Sequence, residues 1–200
     1  MSWIKIISFN EAEGKLKKLY QKVTGPNNNV DNIMLVHGLR PHTMVGHMAL
    51  YKNVLHNSNN TLPKWYLETI GVYVSLLNNC EYCVEHHFTG LQRLLGDATK
   101  ANQIRKGLET HKPEIALDEK FSQGLKYAEK LTLTPSEIVK ADVEKLQQSG
   151  ITDGEILEIN QVVSYFNYAN RTVLGLGVST SGDILGLSPN SSEDDNWNHQ

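Results

Sequence analysis

The chain has 200 residues, of which 40% are hydrophobic and 20% charged, with a formal net charge of −3. That length suits one domain carrying a buried core, and the charge gives no electrostatic case for a nucleic-acid or anionic-membrane partner. No apolar stretch reaches the ~18–20 residues of a membrane span, residues 1–9 lack the basic start and apolar region of a secretory signal, and two cysteines do not make a disulfide-stapled secreted fold, so the expected compartment is the cytoplasm.

In chain order the pattern is helical throughout. Ile4 to Phe9 is the one strand candidate and reads better as an extended arm. Glu11 to Lys22 sets Leu16 and Leu19 among lysines, an amphipathic helix, and Gly25-Pro26-Asn27 breaks it. His42 to Leu55 is a second helix. Pro63 to Leu77 is a third, nearly all apolar or small apart from Glu68. An acid in such a helix needs a partner or a raised pKa, unless it faces solvent. Asn78-Asn79 stops this helix, and Glu81 to Leu95 reads as a fresh one ending at Gly96. Asp97 caps the next, Ala98 to Gly107. Asp118 precedes Phe121, Leu125, Ala128 and Leu131, spaced along one helical face. Two capping-box patterns follow. Thr134-Pro135-Ser136-Glu137 predicts a helix to about Gln148, and Thr152-Asp153-Gly154-Glu155 predicts one to about Leu174. The domain is expected over 1–188, and 189–200 is expected to be a polar, flexible tail.

Chemistry concentrates in one stretch. The only two cysteines form Cys80-Glu81-Tyr82-Cys83, followed by Val84-Glu85-His86-His87. A thiol at pKa ~8.5 is mostly protonated at neutral pH, and a helix N-terminus or a neighbouring imidazole lowers that pKa. Cys83 and His87 are four residues apart, on one helical face, so this segment offers both. Zinc would need His86 or His87 and a distant donor, since no second cysteine pair exists. A structural disulfide across so short a loop constrains little of the unfolded chain. An incidental buried pair and a redox dithiol are the remaining readings, and the basic neighbour favours the dithiol. His42 and His47, five apart, do not share a helix face, and with His37 they read as packing or surface residues rather than a metal site. Asn167 and Arg171, at i and i+4, can face one another. No dinucleotide-binding glycine motif follows a strand, so no bound organic cofactor is expected.

Taken together, Glu68, Cys80, Cys83 and His87 at this spacing resemble the signature of alkyl hydroperoxidase D-like proteins of the carboxymuconolactone decarboxylase superfamily. Asn78-Asn79-Cys80-Glu81-Tyr82-Cys83-Val84-Glu85-His86-His87 is most similar to its peroxidase-related branch. Leu39-Arg40-Pro41, Leu62-Pro63, Gly150-Ile151-Thr152-Asp153 and the run from Tyr165 to Arg171 also resemble that branch. The resemblance implies an all-α, oligomeric helical bundle (dimer, trimer or hexamer). It also implies a peroxidase, reduced by a dithiol or lipoyl protein and holding no metal. Cys83 would attack the peroxide, Cys80 would resolve it as a disulfide, His87 would relay the proton, and Glu68 would orient His87. Tyr82, His86, Asn167 and Arg171 would be supporting residues. Two positions depart from the pattern: Tyr82 replaces a relay histidine, and Leu67 stands where relatives often have arginine. A decarboxylase-like enzyme on the same fold, and a redox-sensing or zinc-binding protein without turnover, are the alternatives.

Overall fold

The computed structural model describes residues 2–189, 197 and 199. Among these residues there are nine α-helices and no strand: α1 Gly14–Val23, α2 Asn32–Leu35, α3 Pro41–Leu55, α4 Lys64–Leu77, α5 Glu81–Leu95, α6 Ala98–Glu109, α7 Glu119–Leu133, α8 Lys140–Gln148 and α9 Asp153–Leu176. The strand candidate Ile4 to Phe9 forms no strand: Ile4 lies in a bend, residues 5–8 have no regular secondary structure, and Phe9 opens a turn. No helix of the described residues is long and apolar enough to cross a membrane.

α4 is the axis of the bundle, and α5, α7 and α9 pack around it. Every residue from Tyr66 to Ser75 is buried, as a helix apolar on all sides must be. Two glycines set the spacing. A Cβ on Gly71 would sit 2.1 Å from Cζ of Phe166 on α9, and one on Gly124 of α7 would sit 2.2 Å from the Tyr66 hydroxyl. α4 therefore touches α7 and α9 more closely than two side-chain-bearing surfaces allow.

The expected boundaries hold best where a turn residue marks them. α5 spans Glu81–Leu95, and Gly96 ends it in the left-handed region at φ 61°, which costs glycine little. Asp97 and Asp118 accept the backbone N–H of Lys100 (3.0 Å) and Phe121 (3.1 Å). Thr152 and Glu155 form the reciprocal capping box of α9: the Glu155 carboxylate accepts the Thr152 N–H at 2.8 Å, and the Thr152 hydroxyl accepts the Glu155 N–H at 3.3 Å.

The helix expected from Thr134 starts later. Pro135–Glu137 is one 3-10 turn whose cap has no side-chain hydrogen bond. Ile138 and Val139 run extended, and α8 begins at Lys140. Asp142 explains the delay: its carboxylate accepts the Val139 N–H (2.9 Å) and the ammonium of Lys130 on α7 (2.6 Å). α1 likewise begins at Gly14 rather than Glu11, because the Glu11 carboxylate is occupied by the Ser8 N–H and hydroxyl.

Residues 190–196, 198 and 200 of the expected tail lie outside the described residues. Its described members pack on the domain. Pro189 and His199 form an isolated antiparallel bridge, and Trp197 packs against the main hydrophobic core.

Gly71→Ala would force Phe166 away from α4. Overpacking of this kind costs about 1–3 kcal/mol, so the melting temperature in thermal denaturation is expected to fall by several degrees.

Candidate active site: a buried thiol pair beside a Glu–His pair

The α4–α5 turn places the thiols. Asn79 adopts φ +55°. The Cys80 N–H bonds to the Ser75 carbonyl (2.9 Å) and the Asn79 N–H to the Leu76 carbonyl (3.0 Å). This is the glycine-type helix stop, with asparagine in the left-handed position. The stop leaves Cys80 as the N-cap of α5 and Cys83 in its first turn. The two sulfurs lie 2.8 Å apart. Both are buried and unbridged.

The two thiols are not equivalent. Cys83 lines a cavity of about 50 Å³, together with Glu68, His86 and His87, and Cys80 does not. The Cys83 thiol lowers the Cys80 pKa by hydrogen bonding, against the opposing effect of burial, and the Cys83 backbone N–H adds to the lowering. Burial and then the Cys80 sulfur push Cys83 up, and a hydrogen bond from Asn170 opposes them. The pair thus loses its first proton more easily than its second. Its charge rests on the hidden sulfur at the helix N-terminus.

Glu68 and His87 form the second half of the site. Oε2 of Glu68 lies 2.7 Å from Nδ1 of His87, and Glu68 is only 4% exposed. Burial raises the Glu68 pKa, but the charge and hydrogen bond of His87, with His56 and Lys64 behind them, bring it below the ordinary value. An ionised carboxylate only accepts, so Nδ1 of His87 carries the proton and Nε2 is left for proton transfer. Phe166 holds the imidazole edge-to-face, at 4.5 Å between ring centroids. The glycine at position 71 therefore reaches the site through Phe166.

Tyr82, at the relay position, is tied elsewhere. Its hydroxyl donates to Asp183 (2.7 Å) and accepts the Ile33 N–H (3.2 Å). His86 also meets Asp183, at 3.2 Å. The Asn32 N–H, in the first turn of α2, donates to the same carboxylate. Burial and the Asp183 charge raise the Tyr82 pKa further, so Tyr82 braces the segment after α9 and keeps its proton.

Asn167 and Arg171 meet as their spacing implies: Nη1 of Arg171 donates to Oδ1 of Asn167 at 2.7 Å. Neither lines the cavity. The polar residue of that helix that reaches the thiols is Asn170, wholly buried. Its side chain accepts from Asn78 (3.0 Å) and donates to Ser75 (3.1 Å). A sequence signal existed for it, since Ile159, Val163, Phe166, Asn170 and Val173 fall at alternating steps of four and three, and all are buried. A polar residue on such a stripe needs a partner.

Sequence reading also passed over Asp31, Asp183 and His199. Asp31 and His199 line the cavity. Burial raises the Asp31 pKa to about 6, with His86 and Asp183 acting in opposite directions. Beyond Glu68 and Gly90 lies a larger cavity of about 270 Å³ with Lys64 and Arg93 on its wall. His37 and His47 pack against one another at 5.2 Å between ring centroids. No group of three or more His, Cys, Asp or Glu among the described residues is disposed to hold a metal.

No family model and no curated protein matches the sequence. Solved structures do. The core of alkylhydroperoxidase AhpD, an uncharacterized peroxidase-related protein from Ralstonia eutropha, matches at TM-score 0.77 and 21% identity, over 89% of this chain and 91% of that one. An uncharacterized peroxidase-related protein from Silicibacter matches at TM-score 0.68 and 27% identity, over 76% and 78%. The chain has the AhpD-like fold. The debrominase Bmp8, solved as a cysteine variant with 2,3,4-tribromopyrrole, shares this fold at TM-score 0.71 and 16% identity, over 90% and 93%. The resemblance drawn from the Glu68, Cys80, Cys83 and His87 spacing thus agrees with the neighbours found by structure.

Asp31 makes stability depend on pH. Its folded pKa of about 6 lies above the ordinary 3.8, so between these values the folded chain holds a proton that the unfolded chain has lost. Stability is therefore expected to fall as pH rises through that window, by at most about 3 kcal/mol. In Asp31→Asn, urea unfolding from pH 4 to 7 is expected to lose this decline.

Proposed function

We propose that this chain is a cytoplasmic thiol-dependent peroxidase that reduces small peroxides through the Cys80–Cys83 pair. The observation that carries the reading is the asymmetry of the thiols: Cys83 meets a cavity that His87 shares, and Cys80 lies 2.8 Å behind it. At that distance one proton is shared between the sulfurs. Its transfer from Cys83 to Cys80 moves the negative charge to the sulfur that faces the substrate.

Nε2 of His87 first takes the proton that the thiol pair loses, while Nδ1 stays bonded to Glu68. The Cys83 thiolate then attacks the terminal oxygen of the peroxide. The O–O bond breaks, Cys83 becomes a sulfenic acid, and the leaving alkoxide takes that proton back from Nε2. Cys80 then attacks the sulfenic sulfur, forms the disulfide and releases water. Across the cycle, peroxide and two thiols give a disulfide, an alcohol and water. An external dithiol or lipoyl protein restores the pair, and no bound cofactor takes part. A homo-oligomer belongs to this reading as the resemblance implies it.

The size of the cavity supports a peroxide over a ring. About 50 Å³ is one third of the ~150 Å³ cavity that accommodates benzene in an engineered protein. The debrominase neighbour makes reductive dehalogenation the second reading, and the narrow cavity weighs against it.

Peroxide consumption with dihydrolipoamide as donor tests the proposal. Turnover is expected with the native chain, background rates with Cys83→Ser, and a loss of about 10²-fold in His87→Gln, the range of a general acid–base group. Native rates in Cys83→Ser would contradict the proposal. So would a chain inert to hydrogen peroxide and cumene hydroperoxide that releases bromide from a brominated pyrrole.

A further inference from the structure

The cavity beside Cys83 is closed on one side by residues from beyond α9. Leu187, Ser188 and His199 belong to its lining. Two anchors hold this cover. At the first, Nη1 of Arg93 on α5 donates to the Gly186 carbonyl at 2.6 Å. Gly186 also runs so close to α5 that a Cβ there would meet Thr89 at 2.6 Å. Its φ of 74° makes the crossing a glycine position twice over.

The second anchor is His199. Its N–H donates to the Thr24 carbonyl at 3.3 Å, and its ring lies parallel to that of Tyr51, at 3° and 6.1 Å. Gly25 provides the slot, since a Cβ there would press on Leu187 at 2.9 Å and on the His199 carbonyl at 3.3 Å. Trp197 packs against the core on the outer side, with the Lys22 ammonium 5.5 Å from its ring.

His199 is 4% exposed. Its Nδ1 is buried with no hydrogen-bond partner. A buried acceptor left without a donor is destabilising. His47, on the same cavity wall, has an unpaired Nδ1 as well. Such nitrogens suit a small ligand that brings an O–H donor.

We infer that His199 is a specificity-determining residue: its ring, docked on Tyr51 from the C-terminal side, caps the thiol cavity and limits the substrate to small hydroperoxides. The inference rests on the proposed peroxidase reading for its substrate, but not for its geometry. With the ring removed, the cavity opens toward Tyr51 and Thr24, and bulkier molecules reach Cys83.

Alkylation of Cys83 separates the two claims, because it needs no turnover. In a Cys80→Ser background, Cys83 is the sole thiol. Its rates with iodoacetamide and with fluorescein-5-maleimide measure access for a small and a bulky reagent. His199→Ala is expected to raise the bulky-to-small rate ratio at least tenfold. Trp197→Ala, which loosens the cover without touching the cavity, is expected to raise it in the same direction. His199→Phe keeps a flat ring over Tyr51 and is expected to hold the native ratio.

An unchanged ratio in both alanine variants would overturn the inference. So would a rise in His199→Phe equal to that in His199→Ala. With both cysteines present, His199→Ala is further expected to shift kcat/KM toward cumene hydroperoxide over hydrogen peroxide. If the alkylation ratio rises but no variant consumes peroxide, the cap stands and the peroxidase reading fails.

Discussion

The site depends on one contact, the 2.7 Å approach of His87 to Glu68. Glu68 sits within ten successive buried residues of α4, where a lone carboxylate would either destabilise the bundle or take up a proton. Pairing with His87 keeps it ionised and gives the imidazole a single tautomer. Removing one partner of a buried pair costs about 3–5 kcal/mol, so the same contact supports both the fold and the proton chemistry. The rest of the architecture serves it: Gly71 lets Phe166 approach α4, and Phe166 holds the His87 ring.

A second constraint acts on the thiols. The left-handed Asn79 ends α4 one residue before Cys80, so the next helix begins with the cysteine as its cap. Asn78 and Asn170 fasten this turn to α9. Helix-end polarity, the Cys83 thiol and burial then divide the labour between the sulfurs. Cys80 holds the charge out of reach, and Cys83 meets the cavity. A dithiol on a mobile loop would have neither the short sulfur separation nor the difference in access.

The spacing of Glu68, Cys80, Cys83 and His87 was legible because all four lie on two successive helices whose shared turn is marked by Asn78-Asn79. The α5 boundaries were legible for the same reason, with Gly96 at the far end. Asp183, Asp31 and His199 were not legible: each arrives from a distant loop or terminus, and no local period marks it. Asn167 and Arg171 show the limit of spacing arguments. Their i, i+4 contact forms, yet it lies beside the buried stripe of α9, whose polar member is Asn170. At Thr134 the capping pattern was present, but Asp142 and Lys130 set the helix start further along. The polar composition of 189–200 concealed two rings, those of Trp197 and His199, that have apolar surface to bury.

The most direct measurement is to trap the first oxidised species. Cys80→Ser protein treated with one equivalent of hydrogen peroxide in the presence of dimedone, then digested and mapped by mass spectrometry, is expected to carry the sulfenic-acid adduct on Cys83. Cys83→Ser protein treated in the same way is expected to leave Cys80 unmodified, since that sulfur does not face the cavity. An adduct on Cys80 with none on Cys83 would contradict the assignment of the attacking thiol and the proton transfer that depends on it.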